Sequence, residues 1–136
     1  MNNVDHIGIA VSSLEEALLL YTKQLGMTHI KTERVASQGV NVAFIDAGNI
    51  KLELLEPASP DSSIARFIQK RGPGIHHIAY SVKDIETRIA EVKSQGIETI
   101  GDVPVQGAGG ARIAFMHPRS TGGVLMELCD KGEGEA

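Results

Sequence analysis

Cysteine is almost missing from this chain: Cys129 stands alone, which excludes an internal disulfide and, by count, a thiolate metal cluster of the zinc-finger kind. Positive charge is scarce too. Lys and Arg number 13 against 17 Asp and Glu, for a formal net charge of -4, whereas nucleic-acid recognition usually leaves a basic stripe. No apolar stretch approaches the roughly 18 residues a membrane span requires, and Met1 to His6 lacks the basic and apolar runs of a secretory signal. These absences predict a cytoplasmic protein that engages neither nucleic acid nor membrane and acts on a small molecule. The 136 residues, 42% of them hydrophobic, suffice for a single domain with one sizeable core.

What the chain does contain is an internal repeat. Asp5-His6-Ile7-Gly8-Ile9-Ala10-Val11-Ser12-Ser13-Leu14-Glu15 lies over His76-His77-Ile78-Ala79-Tyr80-Ser81-Val82-Lys83-Asp84-Ile85-Glu86 without a gap. Each stretch runs into a helical pattern that stops at a glycine, Gly26 or Gly96, where a left-handed C-terminal residue suits glycine. Ser13 with Glu16 fits a capping box, and Asp84 is expected to cap the helix that begins at Ile85. Val42 to Ile45 then matches Ile113 to Met116, and Ile50 to Leu54 matches Val124 to Leu128, all strand-like runs. Turns are signalled at Ala47-Gly48-Asn49 and from Pro118 to Gly123. The fold class predicted is α+β: tandem βαβββ modules, about 1–57 and 74–130. A connector, 58–73, breaks at Pro57-Ala58-Ser59-Pro60, turns helical from Asp61 to Arg71 and ends at Gly72-Pro73-Gly74. The tail from Asp130 to Ala136 is expected to fray.

Strand periodicity sorts the first strand of each module into two faces. Ile7, Ile9 and Val11 share one face, and His6, Gly8 and Ala10 the other. Ile78, Tyr80 and Val82 are likewise set against His77, Ala79 and Ser81. Each histidine therefore shares its face with small residues, which leaves the space a bound metal and substrate need. Glu53 and Glu127 hold equivalent places in the last strands, where a carboxylate facing inward is costly unless paired, protonated or metal-bound. Taken singly, such residues are more often structural. Their recurrence in both halves points instead to one divalent metal held by His6, Glu53, His77 and Glu127. Mixed nitrogen and oxygen donors without thiolate suit a borderline ion such as Co²⁺, Mn²⁺, Ni²⁺ or Zn²⁺. His76 faces the opposite way and reads as structural. His29 and His117 read as surface or turn residues, and the glycines around Gln38-Gly39 and from Gln106 to Gly110 read as loops.

Asp5 to Val11, Gly48 to Pro57, Gly74 to Ala79 and Phe115 to Leu128 together resemble the methylmalonyl-CoA epimerases of the vicinal-oxygen-chelate (glyoxalase/bleomycin-resistance/dioxygenase) superfamily, over nearly the whole chain. The adjacent His76-His77 and the run His117-Pro118-Arg119-Ser120-Thr121-Gly122-Gly123-Val124-Leu125-Met126-Glu127-Leu128 carry most of the likeness. The family's metal ligands fall on the same four residues, with Glu53 where some members have Gln. The resemblance implies interconversion of the two epimers of methylmalonyl-CoA by proton transfer at C2, with metal chelation stabilising the enolate and Glu127 serving as both ligand and base. It also implies that the tandem modules form a curved mixed sheet around a metal cleft, a homodimer, and an acyl-CoA substrate, for whose phosphates Lys51, Lys70, Arg71 and Arg119 are available. One departure stands out. Many family members carry a second catalytic glutamate where this chain has Val42, and valine carries no proton.

Two other readings compete. Glyoxalase I of the bacterial type is similar in its His, Glu, His, Glu ligand set, yet it tends to have Gly-His in place of His76-His77 and Asp-Pro-Asp-Gly in place of the run from His117. Non-catalytic drug-sequestering proteins share the fold but generally lack the four ligands.

Overall fold

Strand, helix and three further strands follow one another twice along the chain in a computed structural model that describes residues 3–132. The first repeat comprises β1 (Asn3–Ala10), α1 (Leu14–Leu18) continued by a π-helical stretch (Leu19–Gln24), β2 (Thr28–Val35), β3 (Val40–Asp46) and β4 (Lys51–Pro57). The connecting helix α2 spans Ser63–Arg71. The second repeat comprises β5 (Gly74–Ser81), α3 (Ile85–Ser94), β6 (Thr99–Gln106), β7 (Arg112–Met116) and β8 (Met126–Asp130). This is the α+β, tandem βαβββ arrangement that the repeat predicts.

Two compact units result. One is His6–His76; the other joins the stretch from His77 onward to the start of β1, up to Asp5. Within the first unit the strands run in the order β2-β3-β4-β1, with β1 parallel to β4 and the other pairs antiparallel. Within the second the order is β5-β8-β7-β6, with β5 parallel to β8 and the rest antiparallel. Each unit thus has a mixed sheet, because the helix after its first strand makes the crossover that a parallel pair needs.

The helices cover the bulky strand faces. Ile9, Val11, Leu14, Ala43, Ile45 and Leu54 pack together with Ala17, Leu18 and Tyr21 in the first unit. Val82, Ile85, Ile89, Val92, Ala114 and Leu128 do the same in the second. Ser13 caps α1 as expected, its Oγ accepting from the Glu16 amide at 3.2 Å. The helical run ends at Gly26, φ +78°. Ser62 caps α2, accepting from the Ala65 amide at 3.1 Å.

Three expectations are corrected. Asp84 does not cap α3: it lies in the left-handed region at φ 51°, with no side-chain capping bond. The Ile85 amide instead donates to Oδ2 of Asp130 at 3.2 Å. Pro57 closes β4 rather than breaking the chain ahead of it. Asp130 is not frayed, since it ends β8 and accepts that amide; the remainder of the expected tail, 133–136, lies outside the described residues.

Candidate metal centre

His6 and Glu53 come together within one unit because β1 and β4 pair in parallel, with His6 opposite Lys51 and Gly8 opposite Glu53. His6 Nδ1 lies 3.3 Å from Glu53 Oε2. The other unit repeats the arrangement. β5 pairs with β8, Ala79 opposite Glu127, and His77 Nε2 lies 3.3 Å from Glu127 Oε1. All four side chains are buried, His6 3%, Glu53 7%, His77 4% and Glu127 3% exposed.

A buried carboxylate with a buried imidazole is a costly pair unless a proton or a cation lies between them. Two donors bound to one ion at about 2.0–2.2 Å sit roughly 3.0–3.5 Å apart, and each pair meets that spacing. The donor set is nitrogen and carboxylate oxygen with no thiolate, which fits a borderline divalent ion. Small residues accompany each histidine on its strand face, Gly8 and Ala10 beside His6 and Ala79 beside His77, all buried.

Each pair carries an aromatic neighbour. Phe115 stands opposite Glu127 across β7 and β8 and meets the His77 ring edge-on, centroids 5.5 Å apart. Phe44 stands opposite Glu53, with the Lys31 ammonium 5.1 Å from its ring centroid. These phenylalanines recur at matching places in the repeat, which was the signal available for finding them.

The other candidates divide as follows. His76 packs edge-on against Phe67 of α2, centroids 5.0 Å apart, and burial holds its pKa down at about 4; the role is structural. His29 is exposed and bonds Thr32 Oγ1 at 2.8 Å. His117 opens the turn over Pro118–Ser120 by accepting from the Arg119 amide at 3.2 Å. Among the four basic candidates for phosphate, Arg119 holds Glu98 with two bonds of 3.0 Å, and that pairing lowers the Glu98 pKa. Arg71 lies over the Phe67 ring, 5.9 Å from its centroid. Val42 is fully buried, opposite Leu55 on one side and Glu33 on the other.

The model of the Glyoxalase/Bleomycin resistance protein/Dioxygenase superfamily matches residues 5–115. An uncharacterised protein of Bacillus subtilis is 46% identical over 98% of this chain and 96% of its own. The mitochondrial methylmalonyl-CoA epimerase of Homo sapiens is 37% identical over 94% of this chain and 73% of its own. The ethylmalonyl-CoA/methylmalonyl-CoA epimerase of Cereibacter sphaeroides is 38% identical over 94% and 97%. Among solved structures, methylmalonyl-CoA epimerase from Mycobacterium tuberculosis superposes with a TM-score of 0.89 at 35% identity, covering 95% of this chain and 87% of that one. A methylmalonyl-CoA epimerase in complex with methylmalonyl-CoA and NH4+ superposes with a TM-score of 0.91 at 35% identity, covering 98% and 96%.

Proposed function

We propose, for a chain that belongs to the glyoxalase/bleomycin resistance protein/dioxygenase superfamily and within it to the methylmalonyl-CoA epimerase family, that it interconverts the epimers of methylmalonyl-CoA by moving the proton at C2. The protein is an enzyme of the isomerase class. The observation that carries the reading to this chain is the buried His–Glu pair repeated in both units. Relatives named for this activity match almost the full chain, and one neighbouring structure at 35% identity holds methylmalonyl-CoA.

In this reading His6, Glu53, His77 and Glu127 hold one divalent cation, Co²⁺ first among the candidates. When bound, the ion supplies Lewis-acid stabilisation of the negative charge that develops as C2 loses its proton. The residues do the rest. His6 and His77 are neutral donors; Glu53 and Glu127 offset the charge of the ion, and their burial keeps water from competing. Glu127 also takes the C2 proton on one face of the substrate, a step for which a positioned base contributes about 10²–10⁴-fold. Phe115 fixes the His77 ring by its edge contact, and the small residues beside the histidines leave room for the malonyl group. A homodimer is part of the same reading and rests on the family resemblance.

Proton NMR of methylmalonyl-CoA in D₂O with the Co²⁺-loaded protein, run beside a chiral assay, tests the proposal. Loss of the C2 proton signal together with interconversion of epimers is the expected result. No exchange, with turnover of the methylglyoxal–glutathione hemithioacetal, would overturn it in favour of a glyoxalase.

A further inference from the structure

We propose that Lys31 binds the free carboxylate of the malonyl group, holding that end of the substrate on the sheet face that carries His6 and Glu53; the inference rests on the epimerase reading above. A malonyl thioester differs from an ordinary acyl thioester by one carboxylate. That carboxylate must leave water to reach a face of buried side chains, and it meets a second carboxylate there, Glu53, which is only 7% exposed. Both steps are costly without a cation at hand.

The strand register places that cation. Gly8 of β1, Glu53 of β4, Phe44 of β3 and Lys31 of β2 are successive partners across the sheet of the first unit, and direct partners share a face. Their side chains agree. His6 Nδ1 lies 3.3 Å from Glu53 Oε2, and Lys31 Nζ lies 5.1 Å from the centroid of the Phe44 ring. Phe44 is itself buried, so its ring is a floor that joins the ammonium to the His6–Glu53 pair. From β4 to β2 is two strand spacings, roughly 10 Å, a gap that a malonyl carboxylate and a lysine side chain fill between them.

A β-bulge decides which residue takes this place. His29 pairs with Ile45 and Lys31 with Phe44, so β2 uses two residues where β3 uses one. In unbroken register Ile30 would face Phe44 and Lys31 would fall on the other side of the sheet, since one step along a strand reverses the face. The bulge leaves Ile30 48% exposed and turns Lys31 over the ring. An isoleucine left in water gains nothing from folding, and re-aiming a side chain beside a site is what bulges characteristically do.

The ring suits this task. An aromatic face attracts an ammonium without neutralising it, so the charge of Lys31 remains for an oxygen anion to meet as a compact donor on a flexible stem. Lys51 also lies on this face, opposite His6, but it stands at the exposed start of β4 with the acidic Asp46 as its direct partner. Lys31 therefore supplies binding and selects thioesters that bear the second carboxylate, and it takes no part in moving the C2 proton.

The test titrates Co²⁺-loaded wild type and Lys31→Met calorimetrically with malonyl-CoA and with propionyl-CoA, which lacks the carboxylate. Methionine keeps an apolar stem on Phe44 and removes the charge. In the variant Kd for malonyl-CoA should rise at least about tenfold, the effect of losing a charged hydrogen bond, while Kd for propionyl-CoA stays within about twofold of wild type. Cobalt content should not change. KM for methylmalonyl-CoA should rise in step with kcat held, the pattern of a lost binding contact. Lys31→Gln makes the same comparison if the methionine variant does not fold. Equal weakening toward both thioesters would assign Lys31 to the CoA part they share and overturn the proposal, as would wild-type affinity for malonyl-CoA in the variant. Wild-type protein that leaves the C2 proton of methylmalonyl-CoA in place in D₂O would overturn the epimerase reading and this inference with it; exchange by wild type beside unchanged binding by Lys31→Met would overturn the inference alone.

Discussion

The Leu14 amide donates to Oε2 of Glu56 at 2.8 Å, across 42 residues of sequence. The second unit repeats the device with the Ile85 amide and Asp130 Oδ2 at 3.2 Å. Glu56 lies three residues beyond Glu53, and Asp130 three beyond Glu127, so in each unit the strand that carries the carboxylate of the buried His–Glu pair also caps the helix on its other face. Replacing either cap by alanine should lower stability by about 1–2 kcal/mol, the usual cost of a lost helix cap. Thermal unfolding of Glu56→Ala and Asp130→Ala should show the loss while metal content stays at the wild-type level.

Removing a ligand should act in the opposite way. His6→Ala and His77→Ala should each strip the metal, measured by elemental analysis of the purified protein, and leave epimerase activity at background. Glu127→Gln should bring turnover below about one per cent of wild type, since it loses a base as well as a ligand. Metal-dependent activity surviving in either histidine variant would remove these residues from the site.

Gly107 meets Ile113 too closely for any side chain. A Cβ there would fall 2.9 Å from Ile113 Cγ2, and Ile113 is itself buried with Ala79, Ala111 and Cys129. Gly107→Ala should destabilise the protein by about 1–3 kcal/mol, the typical range for overpacking. Chemical denaturation with an unchanged m-value would verify it.

Acid should weaken the fold through His76. Its pKa in the folded chain is about 4, below the ordinary 6.5, because burial disfavours the charged ring. The folded state then binds fewer protons than the unfolded one between those values. Stability is complete above pH 6.5 and declines as pH falls toward 4, by up to about 3 kcal/mol from this residue. His76→Phe should flatten that part of the stability profile relative to wild type; a parallel profile would refute the assignment.

Much of this was legible in the sequence because the repeat doubled every weak signal. His6 and His77, or Glu53 and Glu127, are ambiguous alone and informative as pairs, and the structure brings each histidine to its own unit's glutamate. The caps that β4 and β8 supply to the helices were not legible in the same way. Asp84 sits where a capping residue belongs, but its backbone is left-handed and the Ile85 amide is capped by a carboxylate 45 residues on from Ile85, and no local rule reads across such a distance. The repeat itself held that clue, since Glu56 and Asp130 are equivalent positions. The π-helical stretch over Leu19–Gln24 left no mark in the apolar pattern.

Asp5 belongs by sequence to the first repeat and by packing to the unit of the second. Its carboxylate meets Lys131 Nζ at 2.9 Å, Ser81 Oγ at 3.4 Å and Cys129 Sγ at 3.9 Å. The modules that duplication copied therefore do not coincide with the compact units of the fold. A gene divided at the connector would yield two polypeptides, and the one bearing His77 and Glu127 would lack the carboxylate that clasps Ser81 and Lys131. Fragment complementation would need a cut elsewhere, or a second polypeptide that begins with a borrowed copy of the first strand's opening residues.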